Sequence, residues 1–378
     1  MAWMIPRSAY YDPAIFEREM TQLFSTGYEF VGMASELAND KDFLCVDYAG
    51  CAIVVQNFRG NLRAYKNVCS HRFNKIQFEE RGNRSLTCRY HGWTYNADGR
   101  PIGVGERVEA VDDLADLLCL EEYHVERCGQ FVFVRRAKSD LTLKAFLGEF
   151  YEVLEKLSDA MGPVIHFGTV PHKANWKVLV ENVVDNTHCA LLHKDSFVNF
   201  GFCRAPVEDV VIDGVHSSWH VPRTALARDN LRNRALSHLK DRGFAHDSFW
   251  HLYIFPNLFL ASTEGINFYI GHALPIGPDE TQLRIRYLEP KVELTPKERA
   301  RQDVLNEQTR KYGLDVVEED RPILESIQTG VRLAHTDGVM AVGEPRIRSF
   351  MTGYNTLMAG EAVSSVPIEV RSEPAGSL

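Results

Sequence analysis

Two cysteines and two histidines arrive in two short blocks, Cys69-Ser-His71 and, sixteen residues later, Cys88-Arg-Tyr-His91. Zinc ribbons usually present their soft ligands as CxxC pairs. Here each block supplies one thiolate and one imidazole, as needed if one iron of a two-iron two-sulfur cluster takes both sulfurs and the other both nitrogens. A structural zinc site of Cys2His2 type is the competing reading. A second constellation lies at Asp185, His188 and His193. Asp185 and His188 are spaced to share one helical face, but at about 100° per residue His193 falls roughly 140° from His188 on a regular helix. Both imidazoles reach one metal only if the helix ends or distorts between them. Such a pair also needs an anionic third ligand if open positions are to remain. Glu318, Glu319, Asp320 and Glu325 are the acids of the segment downstream, and spacing alone does not separate them.

The elements that must hold these groups follow from the patterning. At 378 residues and 45% apolar content, the chain has room for two or three domains and a substantial core. Asp12 and Pro13 open a helix with Phe16, Met20, Leu23 and Phe24 on one face, ending near Gly27. From Phe43 to Val68 the runs FLCVDY, AIVVQNF and LRAYKNV, punctuated by Gly50 and Gly60-Asn61, read as hairpin strands. WTY, a turn at Asn96 to Gly99 and QFVFVRR continue the pattern. A small β-domain over 41–138 would thus carry both ligand blocks at hairpin tips. Beyond it Leu143, Phe146, Leu147, Phe150, Leu154 and Leu157 recur at helical spacing until Gly162-Pro163. SFWHLYIFPNLFLAS and INFYIGHALPI read as strands of a large antiparallel sheet. Thr295 to Glu298 is a capping box opening a charged helix that runs to about Tyr312.

Composition narrows the partners. A formal net charge of −9 argues against nucleic acid, whose phosphates need a basic surface. No run of eighteen apolar residues exists and the start lacks the order of a signal peptide, so a cytoplasmic location and no membrane are expected. The six remaining cysteines are expected to be reduced thiols. Between Arg63 and Arg107 nine basic residues face four acidic ones. That window is either a solvated surface or a docking patch for an acidic electron donor.

The blocks CSHR and CRYHGW closely resemble the Rieske domain of ring-hydroxylating oxygenase large subunits. WKxxxENxxDxxHxxxxH, from Trp176 to His193, resembles the mononuclear iron site of the same family, and EDxxxxExxQxG, from Glu319 to Gly330, its carboxylate segment. The resemblance implies an α+β fold, with a small all-β Rieske domain and a larger helix-grip-like catalytic domain of antiparallel sheet and flanking helices. It implies domains at 1–40 (a helical segment packed on the catalytic domain), 41–138 and 139–378. It implies a [2Fe-2S] cluster on Cys69, His71, Cys88 and His91, and Fe(II) on His188, His193 and Asp320, with Glu319 as the fallback ligand. Asp185 takes the position of the carboxylate that links one protomer's iron site to its neighbour's cluster, so a homotrimer is expected, with or without a small β subunit. Electrons would come from NAD(P)H through a reductase and a possible ferredoxin. Dioxygen and a small organic substrate, expected to be aromatic, would meet at the iron. Arg204 and Arg223 are candidate partners for a substrate carboxylate or sulfonate. Oxidative demethylation or monooxygenation of a non-aromatic substrate such as a quaternary amine is the alternative. An iron-sulfur electron carrier is the alternative of a different class. One departure stands out: Phe73 occupies a position where relatives often have Gly.

Overall fold

The computed structural model describes residues 4–103, 117–203, 207–226, 229–341 and 343–361. The chain divides into two compact units, one of Phe24–Phe146 and one of Met1–Leu23 with Leu147–Leu378.

In the first unit every strand pairing is antiparallel. Its strands are β1 (Glu29–Met33), β2 (Asp42–Tyr48), β3 (Cys51–Phe58), β4 (Asn61–Lys66), β5 (Arg81–Asn83), β6 (Thr94–Tyr95), β7 (Pro101–Gly103), β8 (Glu122–Cys128) and β9 (Phe131–Arg135). Seven of them form one sheet in the order β1-β9-β8-β4-β3-β2-β5, and β6 pairs with β7. Arg59 and Gly60 both take positive φ, which gives the β3–β4 hairpin its tight turn. Residues 24–40, expected to be part of a helical arm, instead give this unit β1, which pairs with β9. All five β1 residues are buried, so the period-two alternation that marks a half-exposed strand is missing from the sequence. At the other boundary, residues 139–146 stay with this unit, where Phe146 packs on Tyr28 at 5.5 Å between ring centroids.

The second unit is built on a seven-stranded antiparallel sheet of order β10-β16-β15-β14-β13-β12-β11. These strands are β10 (Met161–His172), β11 (Glu208–Asp213), β12 (His216–Pro222), β13 (Ser248–Ile254), β14 (Leu258–Thr263), β15 (Asn267–Gly277) and β16 (Glu280–Pro290). Helices Phe150–Ala160, Trp176–Val184, Pro296–Leu333 and Pro345–Met358 accompany it. Asp12 caps its helix by accepting from Ala14 N at 2.8 Å, but that helix ends at Arg18 and a π-turn, Glu19–Leu23, follows. The turn drives Glu19 into the core, where its carboxylate accepts from Lys177 Nζ (2.6 Å), Trp176 Nε1 (2.9 Å) and the Tyr354 hydroxyl (2.6 Å). The N-terminal arm is thereby bolted to the helix that leads into the Asp185–His193 segment. The Thr295 capping box forms as expected, yet its helix runs on to Leu333 past Gly313 and Pro322. No described helix is long and apolar enough to cross a membrane.

Candidate metal centres

Both ligand blocks of the first unit are closed by the same hydrogen-bond frame. Cys69 N donates to Asn74 O (2.8 Å) and Phe73 N to Cys69 O (3.0 Å); Cys88 N donates to Trp93 O (2.8 Å) and Gly92 N to Cys88 O (3.0 Å). The frame needs a left-handed residue at its fifth position, and Phe73 (φ 59°) adopts it as Gly92 does (φ 74°). The turn is kept without the glycine, at the cost of backbone strain, and the ring projects into solvent at 80% exposure. Cys69 and Cys88 sit in the apolar cluster of Phe43, Val54, Tyr65, Ile76 and Trp93. The Tyr95 hydroxyl lies 3.1 Å from Cys69 Sγ, and Asn74 Nδ2 donates to Cys88 Sγ at 3.5 Å. The His71 and His91 rings lie 4.7 Å apart, His71 stacked on Trp93. His91 Nδ1 is buried with no hydrogen-bond partner among the described residues. Two core thiols within hydrogen-bond reach of Tyr95 and Asn74, and an imidazole nitrogen with no partner among the described residues beside a second imidazole, fit a cluster bound through sulfur on one iron and nitrogen on the other.

The basic window around this site is largely paired with acids. Arg63 meets Glu122, Lys66 meets Glu121, Lys75 meets Asp47, Arg81 meets Glu36 and Arg89 meets Glu79. Arg107 lies outside the described residues.

In the second unit, helix Trp176–Val184 starts on Asn175, whose Oδ1 accepts from Lys177 N at 3.0 Å. It ends because Asp185 is extended (φ −77°, ψ 133°). Its Oδ1 accepts from Thr187 N and Oγ1, both at 2.7 Å, a local turn that competes with helical hydrogen bonding. Asp185 and His188 therefore meet across a turn rather than along a helical face. A single helical turn, Cys189–Leu192, follows, with His188 and His193 at its two ends. This break supplies the distortion that the five-residue spacing demands.

Each imidazole is held by a carboxylate at Nδ1: His188 by Asp185 Oδ2 at 3.0 Å, His193 by Glu319 Oε2 at 2.6 Å. The opposite nitrogens converge on one oxygen, Asp320 Oδ1, 3.8 Å from His188 Nε2 and 3.3 Å from His193 Nε2. With the ring protons on Nδ1, two nitrogen lone pairs and a carboxylate face one another, an arrangement that a bound cation satisfies. Asn182 Nδ2 donates to the same oxygen at 3.3 Å. Cys189 Sγ lies 3.9 Å from His188 Nε2, but Cys203, burial and nearby acids push this thiol well above its ordinary pKa. Among the described residues, the Asp320 carboxylate therefore offers the oxygen that faces both Nε2 atoms. Burial raises Asp185, but hydrogen bonds from His188 and Thr187 outweigh it and hold the carboxyl below its usual range. For His193, burial lowers the pKa and Asp320 with Glu319 more than reverse it.

Sequence reasoning treated Glu319 as a substitute ligand and missed its hold on His193 and on Ser196 Oγ (2.6 Å). Its adjacency to Asp320 was the available signal. Arg223, expected to meet substrate, is paired with Asp229 (3.1 and 2.5 Å) and with Phe200 O, and does not line the cavity at the histidines. Arg204 lies outside the described residues.

That cavity, about 160 Å³, is bounded by Asp185, His188, His193 and Asp320 and by one face of the sheet. A single cross-strand row, Trp219–His251–Ala261–Tyr269–Tyr287, forms its wall. Phe249 and Phe259 extend the row along their strands. Gly271, opposite Phe259, leaves room for its ring, which a Cβ would strike. Among the described residues, no lysine or arginine lines it.

A β-unit with mixed sulfur and nitrogen donors, and a helix-flanked antiparallel sheet presenting two histidines and a carboxylate, define a two-part iron protein of the Rieske oxygenase class. Residues 28–117 match the Rieske [2Fe-2S] domain, and residues 155–360 match the ring-hydroxylating alpha subunit catalytic domain. The chain belongs to that family. It is 28% identical over 196 residues, 51% of its length, to the glycine betaine monooxygenase oxygenase subunit of Pseudomonas aeruginosa. It is 25% identical over 343 residues to the chloroplastic choline monooxygenase of Amaranthus tricolor, covering 86% of this chain and 71% of that one. The match spans 46% of the glycine betaine enzyme, about half its length. A quaternary ammonium Rieske monooxygenase solved with L-carnitine superposes with a TM-score of 0.73 at 20% identity, over 94% of this chain and 95% of that one.

Proposed function

We propose that this chain is the oxygenase component of a system that oxidises a quaternary ammonium compound at the His188–His193–Asp320 face, with electrons delivered by a partner reductase. The observation that carries the reading is the cavity wall: Trp219, Tyr269, Tyr287 and Phe259 offer π faces, Asp185 and Asp320 stand nearby, and among the described residues no lysine or arginine lines it. An onium group is attracted to such faces without needing a hydrogen-bond donor. The relatives named for glycine betaine and choline support this over hydroxylation of an arene, the substrate expected from sequence. A pure electron carrier has no use for the second donor set.

Cys69, Cys88, His71 and His91 would hold the cluster, and His188, His193 and Asp320 the ferrous ion. When bound, the cluster supplies single electrons and the iron a position at which dioxygen is activated. The chain's own residues prepare that position. Asp185 and Glu319 keep the ring protons on Nδ1 and fix both imidazole planes. Asn182 orients the Asp320 carboxylate. The aromatic row holds the onium group and excludes water. Asp185 also remains the proposed bridging carboxylate of a homotrimer, which the family resemblance supports.

Turnover of the reductase-supplied protein against quaternary amines, neutral arenes, aromatic acids and methyl ethers, with product identification, tests the reading. Oxidation of a quaternary amine is expected. Oxidation of an arene with no amine turned over would refute it.

A further inference from the structure

Arg346 is a buried arginine for which no described residue supplies a carboxylate. It is 3% exposed, at the second residue of helix Pro345–Met358, where the helix dipole disfavours a cation. Its Nε donates to Ser217 Oγ (2.9 Å) and its Nη2 to Ser217 O (3.3 Å) and His251 Nδ1 (3.0 Å). Nη1 is buried with no partner among the described residues. Guanidinium only donates, so His251 Nδ1 must accept and the ring proton must sit on Nε2. Burial, with Arg346 adding to it, keeps this imidazole well below its usual pKa and therefore neutral. The ring lies between Trp219 (6.0 Å, 28°) and Phe259 (6.3 Å, 19°), all three lining the cavity. The Arg346 guanidinium in turn lies over the Trp219 ring at 5.6 Å. Trp219 Nε1 is a further buried donor with no acceptor among the described residues. One corner of the cavity thus gathers an imidazole N–H fixed in tautomer, an indole N–H and a buried positive charge, with no anion among the described residues.

We propose that this Trp219–His251–Arg346 corner is a carboxylate subsite. The substrate is then a zwitterion, its onium group on the aromatic wall and its carboxylate accepting from His251 Nε2–H, with Arg346 acting through His251 as a positioning residue. The inference deepens the quaternary ammonium reading and rests on that reading of the cavity. It also accounts for the buried charge: leaving a guanidinium unpaired is costly, and a substrate anion offsets that cost only in the complex.

The test is ligand binding to the metal-loaded full chain without reductant, followed by calorimetry, using glycine betaine, γ-butyrobetaine, choline and benzoate. The carboxylate betaines are expected to bind at least tenfold more tightly than choline. His251→Phe, which keeps the stacking, is expected to abolish that preference by weakening the betaines about tenfold to a hundredfold, the loss of one charge-assisted hydrogen bond. Choline, which has no carboxylate to lose, should weaken by a much smaller factor than the betaines. His251→Gln, which retains a donor, should restore part of the preference, and Arg346→Gln should lower the betaine-to-choline ratio even if it also lowers Tm. Equal binding of choline and the betaines, or a ratio unmoved in His251→Phe, overturns the subsite while leaving the quaternary ammonium reading intact. Benzoate binding that depends on His251, with no betaine or choline bound, upholds the carboxylate contact but overturns the zwitterion proposal and the quaternary ammonium reading.

Discussion

Glu319→Ala removes a group that touches no proposed metal position, yet it should weaken iron binding. In the parent, Glu319 Oε2 sits 2.6 Å from His193 Nδ1 and 2.6 Å from Ser196 Oγ, and the His193 ring is almost wholly buried. The alanine leaves a buried Nδ1–H without an acceptor, a cost of about 1–3 kcal/mol. It also frees the tautomer, so that Nε2 carries a proton part of the time and must lose it before binding metal. Loss of a carboxylate behind a ligating histidine lowers metal affinity about 10- to 100-fold, or ~1.4–2.8 kcal/mol, in agreement with the hydrogen-bond figure. Glu319→Gln keeps an oxygen acceptor but not the charge, and should fall near the tenfold end. The assay is iron content and chelator competition, with the visible absorbance of the cluster as internal control, because the cluster donors lie in the other unit. If Glu319→Ala holds iron with parental affinity, the reasoning that His193 is positioned through Nδ1 is refuted.

Asp185→Asn should cut reductase-driven turnover at least tenfold while cluster content stays parental, since it weakens the contact to His188 Nδ1; full turnover would remove Asp185 from the account. Lys177→Met leaves Glu19 buried without its cation and should destabilise the chain by about 3–5 kcal/mol in denaturant titration. Adding Glu19→Gln, which removes the charge but keeps an oxygen for Trp176 Nε1 and the Tyr354 hydroxyl, should recover part of that loss, and a double variant as unstable as the single one would contradict the pairing. Phe73→Gly exchanges left-handed strain of about 1 kcal/mol or more against greater unfolded-state freedom. Stability should be unchanged or raised by up to about 1 kcal/mol, and a clear loss would mean that the exposed ring is packed.

The two donor blocks were legible because ligand chemistry fixes residue types at short spacing. For the third donor, spacing leaves four acids of one segment equivalent and the family resemblance alone points to Asp320; the fold brings that residue to both Nε2 atoms and Glu319 to the back of His193. Helix Pro296–Leu333, expected to end near Tyr312, continues past Gly313 and Pro322. Gly313 is there for space, since a Cβ would collide with the Tyr287 hydroxyl. Buried strand β1 carries no alternation to read. The Arg223 expectation failed because a local partner, Asp229, takes the guanidinium, whereas Arg346 stands about a hundred residues from the strands it serves. The cross-strand row at the cavity exists only through register, which no linear pattern displays.

The most direct measurement is a single turnover of the reduced, metal-loaded protein with a trimethylammonium carboxylate under 18O2. One atom of 18O in the hydroxylated product, or in the aldehyde released when a C–N bond breaks and trapped before it exchanges with water, lost when Asp320 is replaced by Ala, is the expected result. Cluster oxidation with no labelled organic product, or label appearing only in an arene diol from a parallel substrate, would contradict the account.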